Sequence, residues 1–118
     1  MPKVIIHAYI DFADQASRDE AIRQCTPVQW GTRTEEPGCL EYCFAADPCV
    51  PNRINIHELW EDHDSLHAHF THHYYAEMVR ILRGLNITGT WNRMYEIGRE
   101  TPVYEADGSF RNVFFEDA

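Results

Sequence analysis

The sequence predicts an α+β domain, a ferredoxin-like split βαβ sandwich with the order strand, helix, strand, strand, helix, strand. Three observations carry that expectation. Apolar residues alternate with polar ones from Val4 to Phe12. Two β-rich runs, Cys39–Ala46 and Arg53–Trp60, flank the proline-bounded loop Asp47-Pro48-Cys49-Val50-Pro51-Asn52. Helical patterns occupy the long stretches before and after that hairpin.

In the first strand, Val4, Ile6, Ala8 and Ile10 share one face, and Ile5, His7, Tyr9 and Asp11 the other. Residues 14–36 are helical in composition. Within them Thr26-Pro27-Val28-Gln29 reads as a fresh N-cap with proline at the first helical position and Gln29 closing a capping box, so a kinked helix or two short ones is expected. Pro37-Gly38 ends the segment, and the antiparallel hairpin follows. Asp62 or Asp64 caps a second helix that runs to about Arg83, where Gly84 stops it, and a last core strand covers Thr90 to Glu100. Beyond it, Ala106-Asp107-Gly108-Ser109 is a tight-turn signal between Val103-Tyr104 and residues 110–115. The expected organisation is one domain: a core over residues 1–100, and a C-terminal hairpin or arm over 101–118 that lies on a partner subunit or over a pocket mouth, or else frays. Helices on one sheet face leave the other bare, and a second copy of the chain is the expected cover, giving a homodimer.

A chain of 118 residues is one domain's worth. Its net charge of −9 repels phosphate backbones and anionic lipid, so no nucleic acid and no membrane partner is expected. No apolar run approaches membrane-spanning length, and the N-terminus turns polar at His7, so a cytoplasmic location is the expectation. Cys25, Cys39, Cys43 and Cys49 lack paired C-x-x-C spacing and read as free thiols. In a strand, Cys39 and Cys43 would stand about 13 Å apart, beyond disulfide reach.

The titratable chemistry concentrates in the second helix, which holds His63, His67, His69, His72 and His73, five of the seven histidines. Leu66, His69, Phe70 and His73 fall at i, i+3, i+4 and i+7, placing two histidines on the stripe that faces the core. One inward histidine is ordinarily a satisfied core residue; two make a pocket lining. Zinc or nickel held by His69, His73 and Glu58 is the alternative, but His57-Glu58-Leu59-Trp60-Glu61 lacks the second histidine of H-E-x-x-H, and no metal is expected. On the third strand Glu58 shares a face with Ile54, Ile56 and Trp60. Burial there would raise its pKa and suit it to proton transfer, whereas a backbone or arginine partner would make it structural. Trp60 serves either the core or an aromatic wall for a planar ring. The sequence carries no G-x-S-x-G, no phosphate-cradling P-loop and no G-x-G-x-x-G, so no nucleotide cofactor is expected.

Glu36-Pro37-Gly38-Cys39, Pro51-Asn52-Arg53, Glu58-x-Trp60-Glu61-Asp62, Leu66 and Ala68-His69-Phe70, taken together in order and spacing, resemble the antibiotic biosynthesis monooxygenase family with its quinol monooxygenase-like members, over roughly residues 3–98. The resemblance implies a dimeric α+β barrel with a pocket between sheet and helices in each subunit. For the enzymes of the family it implies oxidation of quinols or hydroxylated polycyclic aromatics by O2 with neither metal nor flavin as cofactor. Family members often follow the histidine matched by His69 with Thr-Pro-His-Phe. Here the segment reads His72-His73-Tyr74-Tyr75, so only His69 carries over. Val79 stands where haem-degrading relatives place their iron-ligating histidine, and haem is not expected.

The expected activity is therefore cofactor-independent oxygenation of a small quinol or hydroxyaromatic. His69 is the candidate base, His73 or Tyr74 the donor to the oxyanion, and Glu58 the group that orients a histidine. Trp60 and Phe70 hold the ring, and His7 is a further pocket residue. A cofactor-free isomerase or cyclase, and a non-catalytic dimer that binds a small aromatic ligand, are the alternatives.

Overall fold

A computed structural model describes residues 2–116 and shows a four-stranded sheet with three helices. The elements are β1 (Val4–Phe12), α1 (Gln15–Glu35), β2 (Cys39–Ala46), β3 (Arg53–Trp60), α2 (His63–Phe70), α3 (His73–Arg83) and β4 (Ile87–Glu96). The strand order is β2-β3-β1-β4, antiparallel throughout, which is the ferredoxin-like arrangement the element order predicts. The core lies between one sheet face and the helices. Val4, Ala8, Ile10 and Phe12 of β1, Tyr42 and Phe44 of β2, and Ile54, Ile56 and Trp60 of β3 meet Ala21, Cys25 and Val28 of α1, Leu66 of α2, and Met78, Ile81 and Leu82 of α3.

The helices depart from expectation in opposite senses. Helix α1 runs unbroken for 21 residues with Pro27 inside it, where a kink or a second start was expected. Proline removes one helical N–H, but Asp14 caps the N-terminus by accepting from the Ser17 N–H at 2.8 Å, and Ala21, Cys25 and Val28 anchor both sides of Pro27 in the core. Tertiary packing here outweighs one missing bond. The second helix breaks instead. The Thr71 and His72 N–H groups turn back to the Ala68 and His69 carbonyls at 3.2 and 3.0 Å, three residues away, and His72 adopts extended backbone (φ −80°, ψ 148°). Its Nδ1 then accepts from the Tyr74 N–H at 3.1 Å and caps α3. Strand β4 covers Ile87–Glu96 rather than Thr90 to Glu100, because pairing with β1 continues past a bulge to Phe12 opposite Ile87.

Helix α1 also seals the outer edge of β2. The Gln29 amide accepts from the Phe44 N–H at 2.7 Å and donates to the Phe44 carbonyl at 3.2 Å, and Arg33 Nε donates to the Tyr42 carbonyl at 2.5 Å. Between α1 and β2, Gly38 sits at φ +82°, and a Cβ there would lie 2.0 Å from Ser65 Oγ. Gly38→Ala is expected to destabilise the protein by roughly 1–3 kcal/mol from the backbone conformation, with the clash adding to it. Ser65→Gly should recover only the clash, as urea unfolding of the single and double variants would read; equal stability of Gly38→Ala and wild type would contradict this.

Among the described residues no helix covers the opposite sheet face. His7 and Tyr9 pack on Trp91 (ring centroids 5.2 and 5.8 Å), and Arg53 lies 3.8 Å over the Tyr9 ring. In the C-terminal segment, the expected tight turn forms at Gly108 (φ +90°), with Tyr104 bridged to Phe110. Val103, Tyr104, Phe110, Val113 and Phe114 there are exposed.

Candidate active site

Position 69 follows from the helical period: Leu66 and His69 both point inward from α2, and both are buried. The imidazole is 1% exposed and enclosed by four aromatic rings. Trp60 lies tilted against it by 33° at 4.5 Å between centroids, while Tyr42, Tyr75 and Phe70 approach at 5.3, 5.4 and 5.7 Å. Its Nδ1 is 2.9 Å from Glu36 Oε1, the side chain of the residue that ends α1. With Glu36 as a carboxylate, which only accepts, Nδ1 carries the proton and Nε2 is left with its lone pair. Nε2 makes no hydrogen bond among the described residues.

Burial lowers the His69 pKa below the ordinary histidine value, and Glu36, through its hydrogen bond and its charge, opposes that shift without cancelling it. The ring is thus a neutral imidazole at neutral pH. Glu36 is itself 6% exposed, and its second oxygen, Oε2, is buried with no hydrogen-bond partner among the described residues.

Glu58 extends the cluster across β3. It is 7% exposed, and its Oε1 accepts from Trp60 Nε1 at 3.0 Å. Burial pushes its carboxyl up to about 7; the Trp60 donation works against this and the charge of Glu36 adds to it. Beside it, the Tyr42 phenol is driven far above its usual range and the Cys39 thiol is pushed up to about 11, in both cases chiefly by burial and then by Glu36 and Glu58. Burial and the neighbouring acidic groups keep both the phenol and the thiol protonated.

The structure thus brings His69, Glu58, Trp60 and Phe70 together. It does not bring His73, Tyr74 or His7 to them. The break at Thr71 and His72 rotates His73 off the Leu66–His69–Phe70 stripe, leaving it exposed, stacked on His72 at 4.4 Å and tilted against Tyr74 at 4.3 Å. Tyr74 packs against Gly31, and its hydroxyl donates to Glu35. His7 lies on the helix-free sheet face, as alternation from Val4 requires. Glu58 bonds Trp60 rather than a histidine, and Glu36 is the carboxylate that holds His69. Among the described residues no three His, Cys, Asp or Glu side chains form a set that could hold a metal ion, and no helix is long and apolar enough to cross a membrane.

The family model for antibiotic biosynthesis monooxygenases matches residues 3–81. Among solved structures, the chain is similar to a candidate antibiotic biosynthesis monooxygenase from Deinococcus radiodurans, with TM-score 0.76 and 24% identity, over 86% of this chain and 99% of that one. A second candidate, from Caulobacter crescentus CB15, gives 0.75 and 15% over 83% and 92%. SnoaB, a cofactor-independent oxygenase from Streptomyces nogalater solved as a mutant, gives 0.64 and 13% over 86% and 99%. No curated protein matches. At these identities the structures share the fold, while the family model spans the strands and helices that build the His69 site from Lys3 to Ile81. The chain belongs to the antibiotic biosynthesis monooxygenase family.

Proposed function

We propose that this chain is a cofactor-independent monooxygenase that oxidises a small quinol or hydroxyaromatic with O2. The observation that carries the reading is the buried His69–Glu36 pair: a neutral imidazole, fixed by a carboxylate and walled by aromatic rings. Such a base removes a phenolic proton through Nε2, and the aromatic surround keeps water from the resulting anion. The electron-rich phenolate gives one electron to O2, and the superoxide so formed joins the ring carbon para to the oxygen as a peroxide anion. The imidazolium returns its proton to that peroxide. Loss of the ring C–H proton then drives O–O cleavage, leaving a carbonyl on the ring and releasing hydroxide, which takes a proton to become water. 1-Naphthol, which carries a hydrogen on that para carbon, plus O2 gives 1,4-naphthoquinone plus water, so one oxygen atom enters the product and the other leaves as water. Trp60 packs on His69 and donates its indole N–H to Glu58, so both support the base from behind.

A cofactor-free isomerase or cyclase is the second reading, because the same neutral base moves a proton beside a stabilised enolate with no O2. Turnover of 1-naphthol under isotopically labelled O2 is the test. A single labelled oxygen in the quinone is expected; product that forms under nitrogen, or without label, contradicts oxygenation and favours the isomerase. The helix-free sheet face, with His7, Tyr9 and Trp91 uncovered, supports a homodimer joined through that face.

A further inference from the structure

Two buried polar atoms at the C-terminal end of α1 have no partner, and one of them belongs to the carboxylate that holds His69. Thr32 Oγ1 and Glu36 Oε2 make no hydrogen bond among the described residues, although Thr32 is 0% exposed and the Glu36 side chain 3%. The two residues are one helical turn apart. Glu36 is the C-cap of α1, and its backbone N–H donates to the Thr32 carbonyl at 3.2 Å. The other threonines of the helix behave differently. Thr26 and Thr34, both exposed, donate to the carbonyls four residues back, Ile22 at 2.7 Å and Trp30 at 2.8 Å. Thr32 makes no such bond to Val28, so the one threonine of α1 shut off from bulk solvent is the one that forgoes the helix carbonyl. A hydroxyl and a carboxylate oxygen left unpaired in a core are both costly, the charged one more so.

We propose that Thr32 and Glu36 hold a single internal water, which accepts from the Thr32 hydroxyl and donates to Glu36 Oε2, and that Thr32 is thereby a positioning residue for His69. Two polar partners are enough for a buried water, and one water joins groups that do not bond directly. Its donation spreads the Glu36 charge over both oxygens. Without it, the charge concentrates on Oε1, against the Nδ1–H of His69, and the pair takes up a proton more readily. The other titratable groups around the pair are Glu58 on β3, Cys39 and Tyr42 on β2, and His72 and Tyr75 at the N-terminal end of α3. A change at Thr32 alters none of them. The inference rests on the oxygenase reading only for its consequence in turnover.

The test compares wild type with Thr32→Val, which keeps the volume and removes the hydroxyl, and with Thr32→Ser, which keeps the hydroxyl. Nitrogen-detected titration of His69 should give a higher midpoint in Thr32→Val and a wild-type midpoint in Thr32→Ser. Urea unfolding at pH 7 should show Thr32→Val less stable than wild type, because Glu36 Oε2 has lost its donor. A hydroxyl that merely sits unbonded predicts the reverse sign, since valine would then remove a buried polar group at no cost in shape. Thr32→Val at least as stable as wild type, an unmoved His69 midpoint in it, or an equal shift in Thr32→Ser overturns the proposal. A crystal structure of the wild type should show one ordered water about 2.7–3.2 Å from both atoms. A dry site, or a direct bond from Thr32 to Glu36, overturns it even where Thr32→Val fails to fold. None of these readouts involves turnover, so failure of oxygenation under labelled O2 would sink the reaction and leave the water site standing.

Discussion

Replacing His69 by glutamine is expected to lower oxygen uptake with naphthols by about two to four orders of magnitude, the range a positioned base supplies. Glutamine is the informative change. Its amide can still donate to Glu36, so the buried carboxylate keeps a partner. Alanine would strip that partner and destabilise the fold by roughly 3–5 kcal/mol, mixing a folding defect into the kinetics. Glu36→Gln should also lower kcat with little change in KM, because it loosens control of which imidazole nitrogen carries the proton. Oxygen electrode traces on the folded variants check both effects. Wild-type rates in His69→Gln would remove the base from the mechanism.

The second large effect concerns pH and stability at Glu58. Its carboxyl titrates near 7 in the folded protein against an ordinary value of 4.5, because burial disfavours the charge. A raised carboxyl pKa means that the folded state holds the proton more tightly than the unfolded one. The stabilisation is then complete below about pH 4.5 and is lost as pH rises through about 7. Over that window the loss is roughly 3 kcal/mol. Glu58→Gln mimics the protonated form and keeps an acceptor for Trp60 Nε1, so it should gain on wild type by about that amount between pH 4.5 and pH 8. Urea unfolding of the two proteins across that range measures the difference, and parallel curves would show that Glu58 titrates as an exposed carboxylate does.

Strands β1, β2 and β3 were legible to their end residues, because alternation and the proline-bounded loop are local signals. What was not legible depended on tertiary terms. Pro27 marks a break in any local reading, yet its helix stays whole because Ala21, Cys25 and Val28 pack on the sheet. The stop at Thr71 and His72 has no glycine or proline to announce it. The helical stripe in the sequence therefore runs on to His73, past the point where the helix ends. His69 itself was found by that stripe. Its partner Glu36 lies 33 residues away on another element, a separation that periodicity does not span. The signal available was that Glu36 stands directly before Pro37-Gly38, where the chain turns from α1 toward the sheet; the turn itself is held by Glu61 N–H donating to the Gly38 carbonyl at 2.8 Å. Alternation did place His7 opposite Val4 and Ala8, but only the packing of the helices on the Val4–Ala8 face shows which side of the sheet they cover.

The most direct measurement is a nitrogen-detected NMR titration of the His69 imidazole in the substrate-free protein. A neutral ring with the proton on Nδ1 is expected at pH 7, with a pKa below that of an exposed histidine. An imidazolium at pH 7, or a proton on Nε2, would contradict the assignment of His69 as the base and the oxygenation built on it.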